Sequence, residues 1–274
     1  MTERAGWVPA GVDVGLPSAA RLHDFLLGGS RNFAADRELG AQLLAADPDS
    51  AVAAAQSRAF LRRAVLLMAA SGIRQFLDLG SGAPSAGWAP EVALAADPGA
   101  RVVCVDFEDV AVAHGHLRLD ADPRAAVVQE DLTEPGAVLV SARATGLVDT
   151  SEPLGLLAVG VLHHVPPSGD PGRVLAAYRD ELAPGSLLAL SHATGELAPE
   201  RVEAAVAVLG RSANPVFPRG LAEVEALFDG FELLEPGVVV PPAWRPEPGA
   251  GFEDGAEAED PARAGAYAGV GRKR

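Results

Sequence analysis

A short stretch of the chain combines an acidic residue with closely spaced glycines, a pattern from which α/β proteins build nucleotide sites. Residues 73–79 form a mostly apolar run of strand length that contains Asp78, and Gly80, Ser81 and Gly82 follow it directly. Glycine at positions 80 and 82 lets the backbone adopt positive φ angles and approach a ligand closely. Because open parallel sheets bind ligands beyond the carboxyl ends of their strands, Asp78 and this turn are candidate ligand-binding residues.

Polar residues also follow four later apolar segments of strand length. The segments 102–105, 125–128, 154–162 and 186–190 are followed in turn by Asp106, by Glu130-Asp131, by His163-His164 and by Ser191-His192. Helical patterns lie between them, and this alternation is typical of a parallel sheet that helices cover on both faces. A lone Gly-x-Gly after a strand is common in ordinary strand–turn units. Polar groups after all five strands, however, favour a ligand site at one edge of the sheet.

The residues after the glycines narrow the type of nucleotide. A dinucleotide fingerprint needs a third glycine where this chain has Ser85, and Pro84 lacks the backbone N–H that a pyrophosphate would use. No Gly-Lys-Ser/Thr follows, which excludes a phosphate-binding P-loop. A small adenosine ligand without a pyrophosphate remains. Asp106 is suitably spaced to accept two ribose hydroxyls, and Asp131 could accept from the adenine amino group.

Composition limits the partners and the compartment. The chain has 274 residues, enough for one or two domains, and its net charge of −15 argues against wide contact with nucleic-acid phosphates. Cys104 is the single cysteine, so we expect no disulfide framework, and the carboxylates and histidines lack the close spacing of a metal site. The N-terminus lacks the form of a signal peptide and the apolar runs are too short to cross a membrane, which predicts a cytoplasmic protein.

The elements divide into a helical segment followed by the strand–helix alternation. Residues 1–16 are punctuated by glycine and proline and are predicted to be irregular. Residues 17–72 are predicted to form three helices, the second with Asn32 as its N-cap and the third over 49–71. The α/β domain then covers residues 73–274, with a sixth strand over 231–240, an acidic mobile loop over 246–264 and a last strand over 266–271.

Several motifs resemble those of class I S-adenosylmethionine-dependent methyltransferases. Residues 76–82, with Asp106 and Asp131 after them, are similar to the cofactor-binding motifs of that superfamily. Residues 24–37 resemble the N-terminal signature of an S-adenosyl methyltransferase family of high-GC bacteria, as do segments 161–166, 182–186, 191–194 and 267–272. The resemblance implies an α/β, Rossmann-like fold with a seven-stranded, mostly parallel sheet. Its last strand would insert antiparallel beside the fifth, and residues 17–72 would form a helical cap.

The resemblance also implies which residues surround bound S-adenosylmethionine. They share a position at the carboxyl edge of the sheet or on the helical cap that faces it. These residues are Asp78, Gly80, Ser81 and Gly82 for the methionine part, Asp106 for the ribose, Phe107, Asp131 and Leu132 for the adenine, Val161 for the region of the sulfonium methyl, and Arg21, Asp24 and Asn32 from the cap.

The implied activity is transfer of a methyl group from S-adenosylmethionine to an acceptor that we expect to be a small molecule. If the acceptor must lose a proton, His163 and His164 are the candidate catalytic residues, because histidine titrates near neutrality. His192 is a weaker third candidate, and a structural role for the histidine pair is equally consistent with the sequence.

The sequence also leaves two alternative functions to consider. A protein of the same fold that binds S-adenosylmethionine without catalysis is one alternative. The other, an NAD-dependent oxidoreductase, is disfavoured by Pro84 and Ser85.

Several residues depart from the family pattern near the expected acceptor site. Trp88 and Pro90 stand where the family has a polar pair, so we expect Trp88 to present an apolar face to a small acceptor. His23 and Ser30-Arg31 also depart from the family pattern, and these changes concern the acceptor site more than the cofactor site.

Overall fold

A computed structural model of the protein describes residue 9, residues 12–246 and residues 260–274. Most of the predicted irregular N-terminus lies outside these residues. So do residues 247–259 of the predicted mobile loop, whereas its last residues form a short 3₁₀ turn over Pro261–Ala264.

A seven-stranded sheet forms the centre of the described chain, with the strand order β3-β2-β1-β4-β5-β7-β6. Strands β1 to β5 pair in parallel, and β7 runs antiparallel between β5 and the edge strand β6. The strands are β1 Gln75–Leu79, β2 Arg101–Asp106, β3 Ala125–Gln129, β4 Gly155–Val159, β5 Leu187–Ala193, β6 Phe231–Leu233 and β7 Ala266–Lys273. The predicted α/β, Rossmann-like architecture with an antiparallel last strand beside the fifth is confirmed.

Helices connect the strands and cover both faces of the sheet. In chain order they are α1 Ala19–Leu26, α2 Ala34–Ala46, α3 Ser50–Ala70, α4 Ala89–Ala96, α5 Asp109–Leu119, α6 Pro135–Ala144, α7 Pro171–Glu181, α8 Pro199–Leu209 and α9 Leu221–Ala226. The central strands are mostly apolar because each face packs against a helical layer, and one buried cluster lies on each side of the sheet.

The order of the strands fixes where a ligand site can form. β1 pairs with β2 on one side and with β4 on the other, so the connections diverge between β1 and β4. Such a switch point leaves a crevice beyond the carboxyl ends of the strands, and ligands of open α/β sheets bind there. The fold therefore brings the residues after β1, β2, β3, β4 and β5 to one edge.

The sixth strand is shorter than the sequence predicted. Only Phe231–Leu233 pairs as a strand with β7, and beyond it a single bridge joins Val239 to Ala268. Pro236 lacks an N–H for the ladder, and Gly237 takes a φ of +87° in a turn that interrupts the predicted run over 231–240.

The N-terminal helices pack in two different ways. Phe60, Ala64 and Met68 of α3 are fully buried in the cluster that covers one face of the sheet, and α3 contacts β4, β5 and β7. α1 and α2 instead form a small cluster with α8, centred on Leu22 and Leu43. That residues 17–72 act together as a cap over the site stays a prediction. Of their three helices, α1 and α2 pack away from the sheet, whereas α3 packs on it.

Asn32 is not the N-cap of the second helix. α2 begins at Ala34 after Phe33, and the carboxylate of Asp36 accepts the hydrogen bond of the Phe33 N–H at 2.7 Å. The prediction placed the cap one residue early, because an acidic residue in the first turn reaches back and satisfies the free backbone donor instead.

Candidate functional site

A cavity of about 560 Å³ lies along the carboxyl edge of the sheet. Its floor follows the strand ends from β3 to β7, and helices α1, α3 and α8 supply other parts of the lining. This volume is within the range of small-molecule sites in proteins, roughly 300–1,000 Å³.

Most of the residues predicted from the sequence meet in this cavity. The predicted residues in its lining are Asp78, Gly80, Ser81, Gly82, Asp106, Phe107, Asp131, Leu132, Val161, His163 and His164. Because the strand order is β3-β2-β1-β4-β5-β7, the lining has two parts with different chemistry. We call the part over β1, β2 and β3, which contains Asp78, Asp106 and Asp131, the carboxylate half. We call the part over β4, β5 and β7, which contains Val159, Ala193 and Ala266, the apolar half.

The glycine turn after β1 needs glycine for two distinct reasons. Gly80 has a φ of +65°, and a Cβ at this position would lie 2.2 Å from a γ-carbon of Val161. Gly82 has a φ of +67°, but a Cβ there would meet no atom within 4 Å, so its backbone faces open space. Gly80 therefore permits close packing against the segment after β4, and Gly82 leaves room for a ligand over the turn.

The carboxylate of Asp106 is buried at the end of β2 and is held in place by backbone donors. Its Oδ2 accepts from the Gly82 N–H at 2.8 Å and its Oδ1 from the Glu108 N–H at 3.0 Å. Burial raises the pKa of Asp106, and these backbone hydrogen bonds oppose the rise. Each oxygen keeps a further lone pair for a ligand hydroxyl. Beside it, Phe107 is 52% exposed and offers an aromatic face.

Asp78 and Arg58 place opposite charges at the cavity wall without pairing directly. Asp78 is 3% exposed, and its Oδ2 has no hydrogen-bond partner among the described residues. Burial raises the pKa of Asp78 to about 7, Arg58 opposes this rise and Asp106 adds to it. Arg58, on α3, is 7% exposed and its Nε also lacks a partner in the described chain, while burial lowers its pKa. The two groups suit a ligand that carries both an ammonium and a carboxylate.

The end of β3 contributes one carboxylate and one apolar side chain. Asp131 Oδ1 accepts from the Thr133 N–H at 2.8 Å and from the Thr133 hydroxyl at 2.7 Å, which fixes the orientation of the carboxylate. Its other oxygen remains free to accept from a ligand. Leu132 is buried next to it and supplies an apolar contact surface.

His163 and His164 lie in a 3₁₀ turn after β4, with ring centroids 4.4 Å apart. His164 Nδ1 is 3.0 Å from the carbonyl oxygen of Pro215. Because a carbonyl only accepts, the neutral ring of His164 carries its hydrogen on Nδ1 and keeps the lone pair on Nε2. His163 Nδ1 is buried and has no partner in the described structure. Burial lowers the pKa of both histidines.

His192 does not line the cavity. Its Nε2 accepts from a guanidinium nitrogen of Arg219 at 2.8 Å, and its Nδ1 donates to the carbonyl of Ala193 at 2.8 Å. Burial lowers the pKa of His192 to about 4, so the ring is neutral at physiological pH. Both nitrogens are thus used within the protein, Nε2 to hold β5 to the segment before α9 and Nδ1 at the end of β5, which is a structural role.

Arg21 and Asn32 lie outside the cavity lining, in contrast to the prediction. Arg21 pairs with Asp36 at 2.9 Å and with Glu108 at 2.5 Å, and it also donates to the Leu16 carbonyl. Each of its three guanidinium nitrogens therefore donates to a protein group, and the side chain ties α1 to α2 and to the start of α5. Asn32 donates to Asp24 at 2.8 Å and to the Gly29 carbonyl at 3.0 Å, inside the α1–α2 connection.

The lining residues that the sequence-based prediction of the site missed include two basic side chains, Arg58 on α3 and His23 on α1. Burial lowers the pKa of His23 to about 3, with Arg58 and His164 adding to the effect, so this ring is neutral. Both residues lie in helices far along the chain from the glycine turn. Arg58 gave no signal beyond a polar side chain in a helix that otherwise reads as apolar, whereas His23 was noted as a departure from the family pattern at the acceptor site.

Trp88 does not face an acceptor. Its side chain is 0% exposed in the cluster beneath the glycine turn, and its Nε1 donates to the Ser81 carbonyl at 3.2 Å. The expectation that Trp88 shapes the acceptor site is corrected, because the preceding loop directs the ring into the core. Pro90 lies in the first turn of α4, where no N–H is lost. Trp88 thus supports the turn from below.

Other classes of site are missing from the part of the chain that the structure describes. It contains no group of three or more His, Cys, Asp or Glu side chains placed to hold a metal ion. None of its helices combines the length and the apolar character needed to cross a membrane. Cys104 is buried in β2, and burial raises the pKa of its thiol, so it is packed as an unreactive side chain.

Comparison with known proteins identifies the family. A family model described as S-adenosyl methyltransferase matches residues 5–274. A proposed methyltransferase from Thermobifida fusca YX is 36% identical, with a TM-score of 0.89 over 98% of this chain and 100% of that one. A DUF574 family protein from Streptomyces avermitilis MA-4680 is 30% identical, with a TM-score of 0.88 over 96% and 99% of the two chains.

A curated protein matches over a shorter region. The tRNA 5-methylaminomethyl-2-thiouridine biosynthesis bifunctional protein of Caulobacter sp. (strain K31) is 34% identical over 118 residues. The match covers 40% of this chain and 19% of that protein, about a fifth of its length. The match to the family model, by contrast, spans nearly the whole sequence. By that match, the chain belongs to the S-adenosyl methyltransferase family.

Proposed function

We propose that this S-adenosylmethionine-dependent methyltransferase acts on a small-molecule acceptor, with the cofactor in the carboxylate half of the cavity and the acceptor in the apolar half. The observation that supports this most strongly is the placement of Asp106 and the glycine turn beside a continuous uncharged wall in one cavity. Asp106 and the open backbone over Gly82 fit an adenosine, and the rest of the cavity leaves room for a second ligand.

The polar groups of the carboxylate half fit the cofactor in detail. Asp78 and Arg58 suit the ammonium and carboxylate of its methionine part, since each has an atom that lacks a partner in the described chain. Asp106 suits the ribose hydroxyls and Phe107 the adenine face. When bound, S-adenosylmethionine supplies an electrophilic methyl group on a sulfonium.

The protein's own contribution to such a reaction is positioning and exclusion of water. Val161 packs against Gly80 at the boundary between the two halves, so the segment after β4 defines where cofactor and acceptor meet. Holding two reactants in line there converts a bimolecular step into an effectively unimolecular one. His163 and His164 follow directly and are the proposed catalytic residues if the acceptor must lose a proton.

A small molecule fits the charge of the chain better than a nucleic acid. The net charge of −15 opposes contact with phosphates, and five carboxylates line the carboxylate half, Asp78, Asp106, Glu108, Glu130 and Asp131. The relative that takes part in tRNA modification shares only part of this chain, so its substrate supplies no argument here.

The proposal predicts that the free protein binds S-adenosylhomocysteine and does not bind NAD. Isothermal titration of the purified full chain with each ligand measures this. At 100 times its dissociation constant, S-adenosylhomocysteine should also stabilise the fold by about 2.7 kcal/mol, which thermal unfolding would report. Binding of NAD in place of S-adenosylhomocysteine would contradict the proposal that the cavity binds S-adenosylmethionine.

Binding of S-adenosylhomocysteine should also depend on pH through Asp78. With a pKa of about 7 in the free protein, the Asp78 carboxyl is largely protonated below pH 7, whereas a bound ammonium favours its ionised form. Binding then releases a proton, so affinity should rise about tenfold per pH unit up to pH 7 and level off above it. In the free protein, the contribution of Asp78 to stability falls as the pH rises from about 4 to about 7, because over this range the carboxyl is ionised in the unfolded chain and protonated in the folded one.

Titrations at several pH values in wild type and in Asp78→Asn would check this dependence. Arg58 and Asp106 are the charged groups that act on Asp78, and both remain in the variant. Asp78→Asn should bind more weakly at pH 8 and should lose most of the slope. A wild-type affinity that does not change with pH would mean that Asp78 meets no cationic group of the ligand.

A further inference from the structure

The apolar half of the cavity is lined almost entirely by uncharged side chains. Leu22 and Leu26 of α1, Leu43 of α2, Ala54 of α3, and Ala205 and Leu209 of α8 form its walls. Among the described residues that line this half, Asp47 is the only charged one, and its carboxylate pairs with Arg201 Nε at 3.1 Å.

A charged ligand in this half would find no unpaired opposite charge, because Asp47 is already paired with Arg201. Moving an ionised ammonium or carboxylate from water into such surroundings is costly unless an opposite charge meets it. An uncharged and largely apolar molecule gains free energy from the same burial. The lining therefore selects against charged acceptors.

The polar side chains that line this half, apart from Asp47, are serines, one asparagine and histidines, none of which carries a fixed charge. His164 has its Nδ1 hydrogen directed to the Pro215 carbonyl, so Nε2 carries the lone pair of the neutral ring, and the Asn214 backbone also lies within reach of this histidine. Ser57 and Ser191 also line the cavity, with their hydroxyl oxygens 3.5 Å apart.

His164 is better suited than His163 to receive a proton. If His164 becomes an imidazolium, its Nδ1–H has the Pro215 carbonyl as partner, and backbone hydrogen bonds to Pro215 and Asn214 both favour the charged ring and raise its pKa against the effect of burial. If His163 is protonated, its buried Nδ1 acquires a hydrogen with no acceptor in the described structure, beside His164 and His192. A buried N–H without a partner is costly, so His163 stays neutral and acts as a wall of the site.

We propose that the apolar half binds an uncharged, largely apolar molecule that carries a weakly acidic hydroxyl group, such as a phenol, and that Nε2 of His164 accepts the proton of that hydroxyl. This inference rests on the proposed function, because it assigns the acceptor of the same site. It names the chemical class of the acceptor and separates the roles of the two histidines.

The reaction that this arrangement supports is balanced without a further reagent. The hydroxyl oxygen forms a bond to the methyl carbon, the carbon–sulfur bond breaks, and its electron pair stays on sulfur. The hydroxyl proton passes to Nε2 of His164 and then to solvent when the products leave. The products are a methyl ether, S-adenosylhomocysteine and one proton.

Binding of matched probes tests the acceptor class independently of turnover. We would titrate the full chain, saturated with S-adenosylhomocysteine, with 2-naphthol, 2-naphthoate and 2-naphthylmethylammonium. The uncharged naphthol is expected to bind at least tenfold more tightly than either charged probe. Ala53→Leu, which narrows the apolar half, should weaken naphthol binding while leaving S-adenosylhomocysteine binding intact. Equal binding of the charged probes, or no naphthol binding by a protein that binds S-adenosylhomocysteine, would overturn the acceptor class.

Formation of 2-methoxynaphthalene from S-adenosylmethionine and 2-naphthol tests the role of His164. His164→Gln should keep naphthol binding within a few-fold and lower the rate by roughly 100-fold or more, the usual contribution of a general base. His116→Gln, at an exposed histidine of α5, is the control and should react like wild type. An unchanged rate in His164→Gln, or naphthol binding by the wild type without methyl ether, would overturn the proton-acceptor assignment. Failure to bind S-adenosylhomocysteine at all would instead contradict the proposed function.

Discussion

Replacing Asp106 by alanine is expected to weaken binding of S-adenosylhomocysteine by on the order of 100-fold or more. The carboxylate is proposed to accept both ribose hydroxyls, and hydrogen bonds to a charged group contribute roughly 1.5–3 kcal/mol each. The same side chain also holds the Gly82 N–H at 2.8 Å and the Glu108 N–H at 3.0 Å, so its loss loosens both sides of the site. Isothermal titration of the variant measures the effect.

Asp109→Ala is a matched control for this substitution. Asp109 lies three residues later, at the start of α5, and its carboxylate accepts from Gln129 outside the cavity lining. The control should bind S-adenosylhomocysteine like wild type, and thermal unfolding should show that both variants are folded. If Asp106→Ala bound as tightly as Asp109→Ala, the ribose would have to lie elsewhere.

Gly80→Ala is expected to destabilise the fold by roughly 2–5 kcal/mol and to abolish cofactor binding. An L-residue at a φ of +65° costs about 1–2 kcal/mol, and overpacking a tight contact costs about 1–3 kcal/mol. The added Cβ would lie 2.2 Å from a γ-carbon of Val161, so the turn and the segment after β4 would have to separate. Urea denaturation measures the loss of stability.

Gly82→Ala separates the two parts of that effect. Its φ of +67° is nearly the same, but its Cβ would meet no atom within 4 Å, so only the backbone strain applies. We expect it to be destabilised by about 1–2 kcal/mol. The double substitution Gly80→Ala with Val161→Ala should recover part of the loss in Gly80→Ala. Equal destabilisation of the two single variants would show that contact with Val161 has no part in it.

The carboxylates of the site could be predicted from the sequence because each follows a strand that is itself easy to recognise. Asp78, Asp106 and Asp131 end or follow apolar runs, and the parallel topology then brings them to one edge. The antiparallel β7 was expected only from the resemblance to a family, since local pattern does not specify which strand it pairs with. Its register beside β5 is a tertiary property of the sheet.

The helical contributions to the site could not be predicted in the same way. Arg58 and His23 reach the cavity because α3 packs on the sheet and α1 lies over its edge, and neither packing is visible in a helical periodicity. Arg21 was a reasonable polar candidate for the cofactor site, but it forms ion pairs with Asp36 and Glu108, which are distant in sequence, and these pairs keep it out of the cavity lining. Trp88 similarly lies at the correct edge, yet its ring direction depends on the loop before α4.

A crystal structure of the protein with S-adenosylhomocysteine tests the central claim most directly. We expect the ribose hydroxyls within hydrogen-bond distance of the Asp106 carboxylate, the amino acid between Asp78 and Arg58, and the sulfur directed towards Val161 and the apolar half. An adenosine bound in the apolar half, or a ribose that does not contact Asp106, would contradict the account.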